Sequence, residues 1–127
     1  MALLDTHIWA WMLTLDPVLS PKARTAIDEA RALFLSPASF YEISQKARLG
    51  KWPLMEPFAS NLPDYATAAG LTVAPLTAEV AILAGSLDWP HRDPFDRLLA
   101  ATALVNGWPL ISADPAFDSL TGLRRVW

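Results

Sequence analysis

Along this chain, short unbroken apolar blocks alternate with longer segments whose apolar positions recur every three or four residues. The longer segments read as helices, and the short blocks, bounded by turn residues, as buried strands. Ala2–Leu4 is the first block and ends at Asp5-Thr6, a strand running into a helix N-cap. His7 to Leu15 is apolar almost all round, with Ile8, Trp9, Trp11, Met12 and Leu13, as expected of a helix that is buried or covered by a partner. Asp16-Pro17 breaks it. Ser20-Pro21 caps a second helix whose Ala23, Ala26, Ile27 and Ala30 share a face, and Leu33–Ser36 is a second strand. A third helix is expected from Ser39 to Leu49, with Phe40, Ile43 and Ala47 toward the core, Glu42 on a different side and Gly50 as its stop.

Pro53 to Gly70 is less regular and suggests two short helices interrupted at Pro63. Leu71–Leu76 alternates weakly, as an edge strand would. Thr77 caps a helix through Leu83, closed by Gly85. The strongest pattern lies between His91 and Asp114. Asp93 is placed as N-cap, Pro94 at the first helical position and Asp96 in the first turn. Leu98, Ala101, Thr102 and Val105 follow at the spacing of a buried face, Gly107 ends the helix, and Pro109–Ser112 reads as a strand delivering Asp114 to its C-terminal end. Pro115–Ser119 forms one more short helix and Leu123–Val126 a last strand. Strands and helices alternate, so the expected class is α/β: a mostly parallel central sheet flanked by helices on both faces.

Length and composition narrow the field. The 127 residues suit one domain, residues 1–127, with one packed core. No apolar run is long enough for a bilayer, so no membrane is expected, and a strand beginning at Ala2 leaves no room for a basic leader. The absence of cysteine excludes disulfides and thiolate metal sites and fits a cytoplasmic location. A net charge of −3 argues against a protein that coats nucleic acid through bulk electrostatics; contact would need a local basic patch or bridging metal ions.

Each acid singled out has a structural explanation. Asp5, Asp93 and Asp114 sit where helix caps sit, Asp96 suits the helix dipole, and Glu42 could close a capping box with Ser39 or pair with Lys46 one turn on. Their joint placement points further. Asp5 and Asp114 come directly off strand C-termini, and Glu42 follows a strand within one turn of helix, which is where open α/β sheets build their sites. Two unit charges about 5 Å apart repel by roughly 3 kcal/mol at an effective dielectric near 20. A divalent ion removes that conflict, and an all-oxygen donor set selects Mg²⁺ or Mn²⁺. The chemistry such a centre offers is phosphodiester hydrolysis.

The ordered segments LLDTHIWAW, LSPKAR, SPASFYEISQKARLGKW, HRDPFDRLLAATA and LISADPAF resemble the PIN-domain ribonucleases, most closely the VapC toxins of type II toxin–antitoxin pairs. The likeness spans nearly the whole chain and is weakest between Pro53 and Ala84. It implies a PIN-like three-layer fold and a metal-dependent endoribonuclease. The family's four acids fall on Asp5, Glu42, Asp96 and Asp114, and the hydroxyl residue before the last acid on Ser112, where threonine is commoner. Thr6 is a candidate helper beside Asp5, and Asp93 a cap or outer group. Lys46, Arg92 and Arg97 are candidates to grip RNA phosphates, with Arg48 and Lys51 nearby. His7 and His91 are expected to pack in the core or a loop. Trp9 and Trp11 point to different sides of one helix, so either at least one of them is exposed in a lone subunit or both pack in the core. The resemblance also implies a homodimer and a small antitoxin whose C-terminal segment lies in an apolar groove beside the pocket. Two rival readings remain: a non-catalytic PIN-like binding module, and another Mg²⁺-dependent phosphoryl-transfer α/β domain. The second would want a lysine beside the acids, and none adjoins Asp114.

Overall fold

The computed structural model describes residues 1–127. In chain order the elements are β1 (Ala2–Leu4), α1 (Thr6–Leu13), α2 (Pro21–Glu29), β2 (Leu33–Leu35), α3 (Pro37–Arg48), α4 (Leu62–Ala68), β3 (Thr72–Val73), α5 (Ala78–Ser86), α6 (Pro94–Asn106), β4 (Leu110–Ile111) and β5 (Arg125–Val126). Single 3₁₀ turns occupy Pro53–Met55, Ala59–Asn61 and Pro115–Ser119. All strand pairs are parallel, in the order β3-β2-β1-β4-β5, so the expected α/β architecture holds.

Side chains along β1 and β4 alternate between two helical layers, as strand geometry requires. Ala2, Leu4 and Ile111 join Ile8, Trp9, Ala23, Ile43 and Leu62 in one core. Leu3 and Leu110 face the other way and pack on Leu99, Ala100, Ala103 and Phe117. A third small cluster, Val80, Ala84 and Ala101, seals α5 onto α6. The result is helix, sheet, helix. No helix is long and apolar enough to cross a membrane.

Strand order reverses between β1 and β4: β2 lies on one side of β1, and β4 and β5 on the other. At such a switch point the flanking connections leave in opposite directions and open a crevice above the strand C-termini. Asp5 directly follows β1 there, and Ser112 follows β4. The topology thus fixes where a site can form.

Several boundaries differ from the sequence pattern. The third helix starts at Pro37, with Ser36 as N-cap accepting from the Ala38 N–H at 3.0 Å. Proline at the first helical position set that start, so Ser39 is inside the helix and no Ser39–Glu42 capping box exists. Pro63 likewise begins α4 rather than interrupting it, for the same reason. Gly85 lies within α5, which runs to Ser86. In α6 the fully buried residues are Leu99 to Ala103, whereas Leu98 and Val105 are only half-buried against α5. That helix is covered on two sides, by the sheet and by α5, so its buried arc is wider than one stripe. Gly107 closes it at φ 67°, the left-handed cap conformation in which glycine carries no Cβ penalty.

Candidate active site

Asp5, Glu42, Asp96 and Asp114 all line one cavity of about 450 Å³, together with His7, Trp11, Lys46, Asp93, Ala113 and Pro115. Four elements deliver the acids: the end of β1, the second turn of α3, the first turn of α6 and the turn after β4.

Each acid is held by its own partner. Asp5 is 6% exposed and is the N-cap residue of α1, yet its side chain makes no capping bond. Instead its Oδ2 accepts from the Ser112 hydroxyl at 2.6 Å, and that hydroxyl accepts from the Asp114 N–H at 3.0 Å. Ser112 therefore ties the first strand to the turn carrying the last acid. Glu42 is buried on α3 and its Oε2 accepts from Lys46 Nζ at 2.6 Å, the i,i+4 pairing. Lys46 also sits 5.6 Å above the Trp52 ring. Asp114 caps the following 3₁₀ turn through the Ala116 N–H at 2.9 Å. Asp96 Oδ2 meets His91 Nε2 at 2.6 Å. Asp93 caps α6 through the Phe95 N–H at 2.9 Å, and its carboxylate, the His91 ring and Asp96 have ligand atoms all within 4.8 Å of one another. Thr6 is buried and shares a 2.8 Å hydrogen bond with the Ser39 hydroxyl, fastening α1 to α3 below the acids.

Several expectations are corrected here. Arg97 does not face the cavity as a grip for RNA. Its guanidinium donates to the carbonyls of Ala84, Leu87, Trp89 and His91 at 2.6–2.9 Å, so it clamps the loop between α5 and α6. Arg92 lies over the seam between α5 and α6, beside Ala81, Gly85 and Pro94, and does not line the acidic cavity. His7 is exposed on the cavity rim, its ring tilted against Trp52 with centroids 4.9 Å apart, because it occupies the open side of an otherwise apolar helix. His91 packs against Trp89 at 4.8 Å but points its ring nitrogen at an acid. Of the tryptophan pair, Trp9 is 1% exposed and Trp11 half-buried at the cavity edge.

The electrostatics test the fit of a cation. Burial pushes the Asp5 carboxyl above its ordinary value, with the Ser112 hydrogen bond and the His7 charge pulling back and Glu42 pushing further up. Burial pushes Asp96 up to about 6; the His91 hydrogen bond opposes this, and the charges of Asp93 and Asp5 add to it. Five carboxylates face Lys46 and His7 across one cavity, so negative charge is in excess. An all-carboxylate donor set without sulfur suits a hard divalent cation, whose charge would remove the penalty.

A consequence is measurable without substrate. The folded-state pKa values of Asp5 and Asp96 lie above their unfolded ones, so the folded chain binds protons more tightly and stability falls as pH rises. For Asp96 the window runs from 3.8 to about 6. In EDTA the chain is expected to melt higher at pH 5 than at pH 7, and Mg²⁺ or Mn²⁺ to raise the pH 7 value. Thermal melts at both pH values check this, and a lower melting point at pH 5 in EDTA would contradict it.

The PIN domain family profile matches residues 2–123. The chain is 33% identical to Ribonuclease VapC22 of Mycobacterium tuberculosis, covering 98% of this chain and 95% of that protein. Its fold is similar to that of VapBC2 from Rickettsia felis, solved with a DNA fragment from their promoter, with a TM-score of 0.72 at 16% identity over 98% of this chain and 96% of that one. A toxin–antitoxin complex from Klebsiella pneumoniae matches with a TM-score of 0.67 at 16% identity, over 97% and 95%. The two solved structures agree in fold alone, whereas the profile and the VapC22 likeness run through the sequence that builds the acidic cavity, and on these the chain belongs to the PIN domain family, within its VapC group.

Proposed function

We propose that this chain is a metal-dependent endoribonuclease, the toxin of a type II toxin–antitoxin pair, acting in the cytoplasm as a single 127-residue domain. The observation that carries the reading is the convergence of Asp5, Glu42, Asp96 and Asp114 on one cavity at the switch point of a parallel sheet. The VapC22 likeness supports ribonuclease chemistry, and the toxin–antitoxin complex supports the pairing.

Asp5, Glu42, Asp96 and Asp114 are the residues to hold the cation, Mg²⁺ or Mn²⁺. The chemistry it supplies when bound is charge neutralisation at the scissile phosphate and acidification of the attacking water. The chain's own groups prepare the rest. Ser112 fixes the Asp5 carboxylate and the Asp114 backbone with one hydroxyl, so these two acids keep their separation. Lys46, tethered to Glu42 on the cavity wall, is the cation best placed to meet an RNA phosphate. His7 and Trp11 form the rim over which the strand enters.

The half-buried rings of Trp11, Trp52 and Trp127 continue from that rim, with Trp11 and Trp127 at 5.8 Å. They offer an apolar surface to an amphipathic antitoxin segment, which would cover the cavity mouth. On the far side of α6, exposed Ile82 with Leu83 and Val105 is the surface for a second copy of the chain.

The deciding experiment incubates structured RNAs with the protein plus Mn²⁺, with EDTA, and with Asp96→Asn in Mn²⁺. Cleavage in the first arm alone is the expected outcome. Cleavage that survives EDTA and the substitution would overturn the metal mechanism, and no cleavage in any arm would favour the non-catalytic module.

A further inference from the structure

We infer that His91 is a positioning residue, whose imidazole holds the Asp96 carboxylate in the orientation a divalent cation needs. The inference rests on the metal-dependent reading above and names the group that makes the third acid usable. Among the four acids Asp96 is the one whose orientation depends on a histidine: the contact to His91 Nε2 at 2.6 Å is the only hydrogen bond its side chain makes. Ser112 serves Asp5, Lys46 serves Glu42, and the Ala116 N–H serves Asp114. An ionised carboxylate only accepts, so Nε2 carries the hydrogen and donates it. With Oδ2 engaged, Oδ1 is left free for a ligand.

The ring is backed on one side by two aromatic neighbours: Trp89, centroids 4.8 Å apart, and Phe117 at 6.5 Å, which lie 5.8 Å from each other. Trp89 is in turn pinned through its indole N–H to the Ser119 hydroxyl at 2.9 Å. The backbone is held on both sides of the ring, since Arg97 donates to the carbonyls of Trp89 and His91 at 2.8 and 2.9 Å. Arg97 directly follows Asp96 on α6. One turn of helix therefore carries both the acid and the clamp that fixes the acid's partner. An exposed ion pair would need none of this; here the His91 and Asp96 side chains are 29% and 17% exposed. Partners that orient metal-binding carboxylates change metal affinity by about 10- to 100-fold when removed.

The test is Mn²⁺ binding to the RNA-free chain by calorimetry at pH 7.5. His91→Ala is expected to raise Kd by about 10- to 100-fold. His91→Gln, whose amide nitrogen can reach the place of Nε2 and donate, is expected to recover most of the affinity. In Asp96→Asn the further change His91→Ala should cost nothing more, because the two act as a unit. RNA cleavage by His91→Ala should need correspondingly more Mn²⁺ while the rate at saturating Mn²⁺ changes far less. Wild-type affinity in His91→Ala, or His91→Gln as weak as His91→Ala, would overturn the inference while leaving the nuclease reading intact. A wild-type chain that binds no Mn²⁺ would overturn both. Should His91→Ala fail to fold, the wild-type protein still decides: titration with Mg²⁺ must move the His91 imidazole ¹⁵N resonances with the calorimetric midpoint, and unmoved resonances would refute the proposal.

Discussion

Asp5→Asn is expected to lower RNA cleavage by roughly 10²- to 10³-fold, the scale seen when one preorganised charge-stabilising group is lost, and at the same time to raise the melting temperature in EDTA. The two effects have one cause. Asp5 is 6% exposed and its carboxyl is pushed above its ordinary value chiefly by burial, with Glu42 adding to the push. An ionised group there is destabilising until a cation neutralises it. Asparagine keeps an oxygen to accept from Ser112 and removes the charge. The wild-type chain should recover its deficit as Mg²⁺ is added, by about 2.7 kcal/mol at a concentration 100 times Kd. Asp5→Asn should gain little from the ion. Paired melts in EDTA and Mg²⁺, alongside cleavage rates, make the check. An asparagine variant that melts lower in EDTA, or cleaves at the wild-type rate, would remove Asp5 from the site. Such a trade of stability for function is common where like charges are gathered for catalysis.

Arg97→Ala is expected to be the most destabilising single change outside the apolar core, at about 3 kcal/mol, because hydrogen bonds to charged groups are strong and the carbonyls left behind are poorly placed for water. Four carbonyls lose their donor at once: Ala84 at the end of α5, then Leu87, Trp89 and His91 in the loop. For a chain of this size the melting temperature should fall by roughly 10 °C. Arg97→Lys should restore little, since an ammonium is a point donor and cannot span four acceptors in a plane. Below its melting point Arg97→Ala should still bind RNA, and its cleavage at sub-saturating Mn²⁺ should fall because His91 is released from Asp96. Unchanged melting with weakened RNA binding is the opposite result and would return Arg97 to the role its position beside Asp96 suggests.

That contrast shows what the sequence carried and what it did not. The four acids were legible because each is tied to an element boundary: Asp5 and Asp114 follow short apolar strands, Glu42 follows β2 within two turns of helix, and Asp96 lies in a strongly signalled first turn. Parallel strands buried on both faces are recognisable by their unbroken apolar runs. The sheet order was not legible, since it depends on which helix layer each crossover chooses. Arg97 was misread for a physical reason: its partners are backbone carbonyls 6 to 13 residues away, and a pattern of side chains contains no information about them. His91 packs in the loop as expected, but its approach to Asp96 was not legible, because a loop conformation sets it. His7 was judged by its apolar neighbours, though one side of α1 opens onto the cavity. Lys46 and Glu42 were visible as an i,i+4 pair, and the structure keeps them paired.

The Ser112–Asp5 hydrogen bond spans 107 residues of sequence. A chain still being translated can form β1 and its α1–α2–β2 crossover while β4 has yet to emerge, and contacts of such long range are the late ones to close. Until then neither Ser112 nor Asp114 exists in the folded part, and the acids already present have no partner across the sheet. A ribosome making this protein is therefore exposed to an incomplete centre until nearly the last segment is added, and a prematurely terminated product lacking β4 would lack both Ser112 and Asp114.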